Sequence, residues 1–162
     1  MKMKLAPALA LLCVCVLSGC TFTGRLYPVQ GPLSSQLPPP IFTLNLTGMV
    51  NPQTLSTVLS NGEIFKGIWT VPSVKTRAER AAAGKPQLTN LASTWDTVYG
   101  PGFYTAHVLG TRYFAQASIT GNQGTLLQVE MYRLDTGAET DLLQAIKGVA
   151  KDSKGNEYKL AF

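Results

Sequence analysis

From Phe42 onward apolar and polar residues take turns along the chain. Phe42, Leu44 and Leu46 alternate with Thr43, Asn45 and Thr47. A period of two sends one row of side chains into a core and the other into water, the mark of a half-buried strand. Residues 54–59 and 63–71 continue the pattern around Ser60-Asn61-Gly62, where Asn-Gly supplies the positive φ angles of a tight hairpin turn. Further strands are predicted at 102–109, 112–120 and 125–134, separated by Gly110-Thr111 and by Gly121-Asn122-Gln123-Gly124. The chain closes with a strand at 146–151, a turn over Asp152-Ser153-Lys154-Gly155-Asn156, and a strand at 157–162. Short strands with regular turn signals predict a mainly β protein. The expected architecture is a small antiparallel β-sandwich or barrel with one or two short helices.

Two segments break the alternation. Thr76-Arg77-Ala78-Glu79 has capping-box spacing ahead of Arg80-Ala81-Ala82-Ala83, and Gly84 and Pro86 stop the run. One or two turns of exposed helix are predicted there, with Arg77, Arg80 and Lys85 on a solvated face. Residues 139–150 fit two periods: Leu142, Leu143, Ile146 and Val149 a helix, Ala145, Lys147 and Val149 a strand. The expectation is a short helix or loop leading into a strand at Ile146.

The N-terminus follows a different logic. Lys2 and Lys4 precede an apolar run from Leu5 to Leu17 interrupted only by Pro7. That run is shorter than the roughly 20 residues a spanning helix needs, and with its charged start it describes a secretory signal peptide. Leu17-Ser18-Gly19-Cys20 resembles the lipobox of bacterial lipoproteins. The resemblance implies cleavage after residue 19, a diacylglycerol on the Cys20 thiol and acylation of the new amino terminus. It further implies the outer membrane, because Thr21 follows the cysteine rather than the aspartate that signals inner-membrane retention. Two or more acyl chains give lasting attachment where one does not.

Removing residues 1–19 leaves 143 residues, enough for one domain. Cys13 and Cys15 depart with the signal, so Cys20 is the last cysteine. A disulfide, a cysteine metal site and a thiol nucleophile are thereby excluded. The signal carries two of the 14 basic residues and none of the 9 acidic ones, leaving an excess of three positive charges spread from Arg25 to Lys159. Nucleic-acid binding calls for clustering that is missing here. Residues 21–40 hold five of the ten prolines and end in Pro38-Pro39-Pro40. The predicted organisation is a signal peptide at 1–19, a lipidated Cys20 with a proline-rich tether to residue 40, and a β-domain at 41–162. Extended at about 3.1 Å per residue, such a tether spans roughly 60 Å.

Candidate chemistry is sparse. Leu134-Asp135-Thr136-Gly137-Ala138 resembles the active-site loop of the retropepsin-like aspartic proteases, in which two such aspartates share a proton. Only 25 residues follow it, and no second Asp-Thr-Gly occurs; the same triplet is ordinary turn chemistry after a strand. His107 is the sole histidine, without the carboxylate partners a zinc site needs and without a Gly-x-Ser-x-Gly elbow. It is read as lying on the wetter face of a strand. Gly84-Lys85 lacks both the first glycine and the Ser or Thr of a phosphate loop. Phe65-Lys66-Gly67-Ile68-Trp69 resembles the Gly-x-Trp of lipocalins, but there the motif opens the first strand, whereas here a strand precedes it. The reading taken is a tryptophan packed over a glycine inside a sheet.

Six of the fourteen aromatics fall between Trp95 and Phe114, around Tyr99-Gly100-Pro101-Gly102. Rigid rings in a glycine-rich loop offer apolar faces with polar rims, which makes Trp95, Tyr99 and Tyr104 a candidate ligand platform. The functional expectation is a non-catalytic, membrane-anchored envelope module that binds a protein, glycan or lipid or supports envelope structure. Neither a cofactor nor a metal is expected. The competing expectation is an envelope-polymer hydrolase built on Asp135, His107 and Asp96.

Overall fold

The structure is a computed structural model describing residues 21–47, 53–73, 78–79, 82–84, 89–111, 113–133 and 146–162. Eight strands follow in order: β1 (Thr21–Gln30), β2 (Phe42–Thr47), β3 (Thr54–Val58), β4 (Ile64–Thr70), β5 (Phe114–Thr120), β6 (Leu126–Arg133), β7 (Ile146–Asp152) and β8 (Glu157–Ala161). Each pairs antiparallel with the next, and β8 pairs with β1, so the sheet closes into a barrel. Closure leaves no edge strand to be paired by another chain. Of the two architectures predicted, the barrel is the one formed.

The alternation read from the sequence decides which row goes inside. Leu26, Leu44, Leu55, Phe65, Leu127, Val129 and Leu160 are all fully buried in one interior cluster, while Thr23, Arg25, Thr43 and Lys66 face out. Eight strands enclose a space that side chains nearly fill, so some inward positions must be small. A Cβ on Gly67 would sit 2.7 Å from Ile119 Cγ1, and one on Gly148 would sit 2.8 Å from Leu160 Cδ2. This polarity, apolar inside and polar outside, is the reverse of a barrel that spans a bilayer. No helix among the described residues is long and apolar enough to cross a membrane.

Several boundaries stand close to their predicted places, β2 and the strand at Ile146 among them. Four expectations are corrected. The segment read as the start of a tether, residues 21–30, is β1, hydrogen-bonded to β2 on one side and β8 on the other. Pro28 fits there because the β1–β8 register shifts between Pro28 and Gln30, a bulge that tolerates a missing N–H. Residues 31–41 then cross the end of the barrel rather than extend away from it. The Leu33 amide donates to Asn156 Oδ1 at 2.9 Å, and the Leu33 side chain packs on the interior cluster.

The second correction concerns residues 102–109, predicted as a strand. Tyr104–Val108 is instead a π-helical turn; its inward residues are Val108 and, half-buried, Phe103 and Tyr104, a spacing near five rather than two. Third, a helix absent from the prediction, α1 (Ala92–Tyr99), precedes it. Both pack on the outer face of the barrel, with α1 against β7 and β8. Fourth, at the 59–63 hairpin only Gly62 has a positive φ, +76°. The Leu59 amide donates to the Glu63 carbonyl at 3.0 Å and the Gly62 amide to the Leu59 carbonyl at 2.9 Å, a longer turn than a two-residue Asn-Gly loop. Of the predicted helix near residue 79, positions 78–79 and 82 are helical, and the rest lies outside the described residues.

Candidate functional site

The two ends of the barrel differ. At one end, where β1, β5 and β7 begin and β2, β4 and β6 finish, a half-open cavity of about 290 Å³ enters the interior. Phe22, Leu46, Trp69, Ala115, Met131 and Ile146 line it from the inward rows, and Val71, Tyr113, Phe114, Tyr132 and Arg133 form its rim. The wall is almost wholly apolar. Two residues at this end carry buried polar atoms with no hydrogen-bond partner among the described residues, Trp69 Nε1 and Tyr132 Oη; Tyr132 belongs to the outer row of β6, and its ring packs against Trp95 beneath α1 rather than facing the cavity. Burial raises the Tyr132 phenol above its usual value, which keeps its proton in place. The Arg133 guanidinium lies 4.2 Å from the centroid of the Tyr113 ring, a cation–π contact that holds a positive charge at the rim.

The opposite end is closed, and its two interior carboxylates, Glu63 and Asp152, are hydrogen-bonded. Fully buried Glu63 accepts from the Thr125 amide at 2.9 Å and hydroxyl at 2.7 Å, and from Lys154 Nζ at 3.1 Å. Burial would raise its carboxyl, but the Thr125, Lys154 and Asn61 hydrogen bonds together outweigh that and bring it from 4.5 down to about 2. Asp152, also buried, accepts from the Asn156 amide and side chain and from the Lys154 amide. Its Oδ2 further accepts from the Tyr158 hydroxyl at 2.7 Å; burial and this carboxylate together push the phenol well above its ordinary range. Gly31 seats the crossing loop here, because a Cβ would come within 2.5 Å of the Gly155 carbonyl.

A third polar cluster fixes α1 to the barrel's flank. Glu130 projects from the outer row of β6 and is buried beneath the helix. Its carboxylate accepts from Trp95 Nε1 at 2.7 Å, from the Thr89 hydroxyl at 2.8 Å and from the Leu91 amide at 3.2 Å. Thus a sheet residue supplies the start of α1 with the partner that its own sequence lacks.

The candidate platform dissolves in this arrangement. Trp95 is fully buried and stacks against Tyr99 at 5.5 Å and Phe103 at 5.9 Å, so it offers no face to a ligand. Tyr99 and Tyr104 are half-buried; Lys147 and Lys159 lie over the Tyr99 ring. The Tyr99 phenol is pushed up to about 12, chiefly by burial. Asp96 Oδ1 accepts from the Tyr104 amide at 3.0 Å and so joins α1 to the turn that follows. His107 is exposed on that π-helical turn rather than on a strand, with its ring 4.7 Å from that of Phe103. Cys20 and Asp135 lie outside the described residues. No group of three or more His, Cys, Asp or Glu among the described residues is placed to hold a metal ion.

Sequence reasoning passed over the mouth itself. Trp69 was to pack over Gly67, yet the side chain filling the space above Gly67 is Ile119, and Trp69 turns into the cavity. The signal was available: Phe65, Gly67 and Trp69 share one row of β4, and Trp69 stands at its far end. Comparison of the chain with family models, curated proteins and solved structures finds no match to any of them.

Proposed function

We propose that this chain is a lipid-anchored protein of the bacterial cell envelope, on the outer membrane, and that its barrel is a non-catalytic module holding an apolar small molecule in its open mouth. One observation carries the binding role: the half-open apolar cavity of about 290 Å³ at one end of the barrel. Apolar concavities with a few polar groups are where small ligands bind, and an eight-stranded barrel is wide enough for one. The anchor rests on the lipobox resemblance. With β1 starting at Thr21 and Phe22 lining the cavity, a lipid on Cys20 is only about 7 Å of strand from the mouth. The spacer is thereby removed from the proposal, and the mouth is set toward the bilayer.

Two measurements test these parts separately. A chain of residues 21–162 contains every strand and is expected to bind a neutral environment-sensitive dye, N-phenyl-1-naphthylamine, saturably and one to one. Ala115→Phe, which fills the cavity, abolishes that binding; dye uptake indifferent to the substitution removes the cavity from consideration. In cells, Cys20→Ala is expected to lose radiolabelled fatty acid and to leave the membrane fraction. Retention of both signals refutes the anchor.

A further inference from the structure

We infer that the mouth seats part of the protein's own anchor: one acyl chain carried by Cys20 turns back into the cavity, and the others enter the bilayer. The inference rests on the anchor and the binding role proposed above and adds the occupant, an alkyl chain held in cis. The lipobox resemblance places three chains on Cys20, two in the diacylglycerol and one on the amino terminus. With one of them in the mouth, two remain in the membrane, and two give lasting attachment.

The place where the barrel begins carries the argument. β1 starts at Thr21, at the cavity end, and the next residue, Phe22, already lines the cavity. Cleavage after residue 19 leaves Cys20 alone ahead of the strand. The inward row of β1 runs through Phe22, Gly24 and Leu26. Carried two residues back, the same alternation assigns position 20 to that row, over the mouth rather than on the flank. A chain in one leaflet extends through half of a hydrocarbon core roughly 30 Å thick. That is about twice the 7 Å of strand from position 20 to Phe22, so the chain reaches the cavity without any change in β1. A group on so short a link meets its site at an effective concentration on the order of millimolar, and an occupant arriving from solution has to compete with that.

The wall suits a hydrocarbon. Leu46, Ala115 and Met131 present apolar surface to the cavity, and the one charged residue of the described lining, Arg133, stands at the rim over the Tyr113 ring. The volume of about 290 Å³ equals the space of about ten water molecules, which suits one alkyl segment and leaves no room for a second. A chain that moves from bilayer to cavity exchanges one apolar surrounding for another, so its own transfer is close to neutral. The cavity wall, in contrast, gains cover from water.

The test is crosslinking in cells that make the full chain and are fed a fatty acid with a diazirine near its methyl end. After irradiation the monomeric protein is isolated and cut with trypsin. The expected product joins residues 20–25 to residues 67–75 or 113–133, the peptides that carry Trp69 and Ala115. Ala115→Phe, which fills the cavity, is expected to abolish that product while the label is still incorporated and urea unfolding still shows a folded protein. Cavity peptides that carry lipid mass without residues 20–25 place a bilayer lipid in the mouth; they overturn the inference and leave the binding role. Label confined to residues 20–25, with dye still bound by residues 21–162, does the same. A link that persists undiminished in folded Ala115→Phe lies outside the cavity and also overturns the inference. Absence of label at residues 20–25, or of dye binding to residues 21–162, overturns the reading beneath it as well.

Discussion

The closed end and the open mouth of this barrel obey the same alternation and arrive at opposite chemistry. At the closed end Glu63 and Asp152 are buried deep, and hydrogen bonds from Thr125, Lys154, Asn156 and Tyr158 meet their oxygens. At the mouth the wall is almost wholly apolar, and the one charged residue among its described lining is Arg133 at the rim, over the Tyr113 ring. A buried polar group left unpaired costs about 1–3 kcal/mol. One end therefore fills itself with paired polar groups, while the other leaves apolar surface open that a ligand would cover. The comparison teaches where to look in a barrel of this kind: at apolar surface the fold leaves open, rather than at polar groups it buries in networks.

The comparison breaks first at Glu63. Replacing it with Ala strips Thr125 and Lys154 of their acceptor, and charged hydrogen bonds of this sort are worth about 1.5–3 kcal/mol each. A loss of about 3 kcal/mol in urea unfolding is expected for Glu63→Ala, with dye binding at the distant mouth unchanged in the molecules that remain folded. If the variant unfolds like the parent, the closed end is not the stabilising end.

Acid titration gives a smaller and more selective handle on the same carboxylate. Its folded value lies near 2, against 4.5 when unfolded. A depressed carboxylate adds stability that is complete above its unfolded value and disappears as the pH falls toward its folded value. Melting temperature is thus expected to hold above about pH 4.5 and to drop between there and about pH 2. Glu63→Gln should flatten that drop while lowering the plateau. Parallel curves for the two proteins would mean that other carboxylates control acid unfolding.

How far the sequence foretold this difference depends on the distance between partners. The strands were legible because alternation is local: Phe42, Leu44 and Leu46 declare one face without reference to anything else. α1 was not. Thr94, Trp95, Thr97, Val98 and Tyr99 are poor helix formers, and Leu91 provides no side-chain cap. What holds the helix is Glu130, 35 residues beyond Trp95, together with Tyr132 packed beneath it at 5.5 Å. β1 was hidden by its composition, since prolines that read as a linker are tolerated at a bulge and in the loop that crosses the closed end. The mouth was hidden for a third reason. Its wall comes from strand ends spread between Phe22 and Ile146, and only barrel closure brings them to one rim. For the same reason the aromatic cluster from Trp95 onward looked like a surface platform and turned out to be the packing under α1.

The smallest expected effect is the sharpest test of the comparison. Ala115 stands on the inward row of β5 at the mouth and is only partly buried. Elsewhere in the barrel an inward small residue cannot grow: the space above Gly67 is taken by Ile119, and overpacking of that kind costs about 1–3 kcal/mol. Ala115→Phe instead grows into open space. Its ring buries apolar surface worth about 25 cal/mol per Å² against some loss of rotamer freedom. Stability should therefore stay within about 1 kcal/mol of the parent, or rise, while dye binding disappears. A loss of several kcal/mol would show that the mouth is packed like the rest of the interior, with its shape serving the fold rather than a ligand. Binding lost at constant stability would separate the two ends by function, because no substitution around Glu63 or Asp152 is expected to do the same.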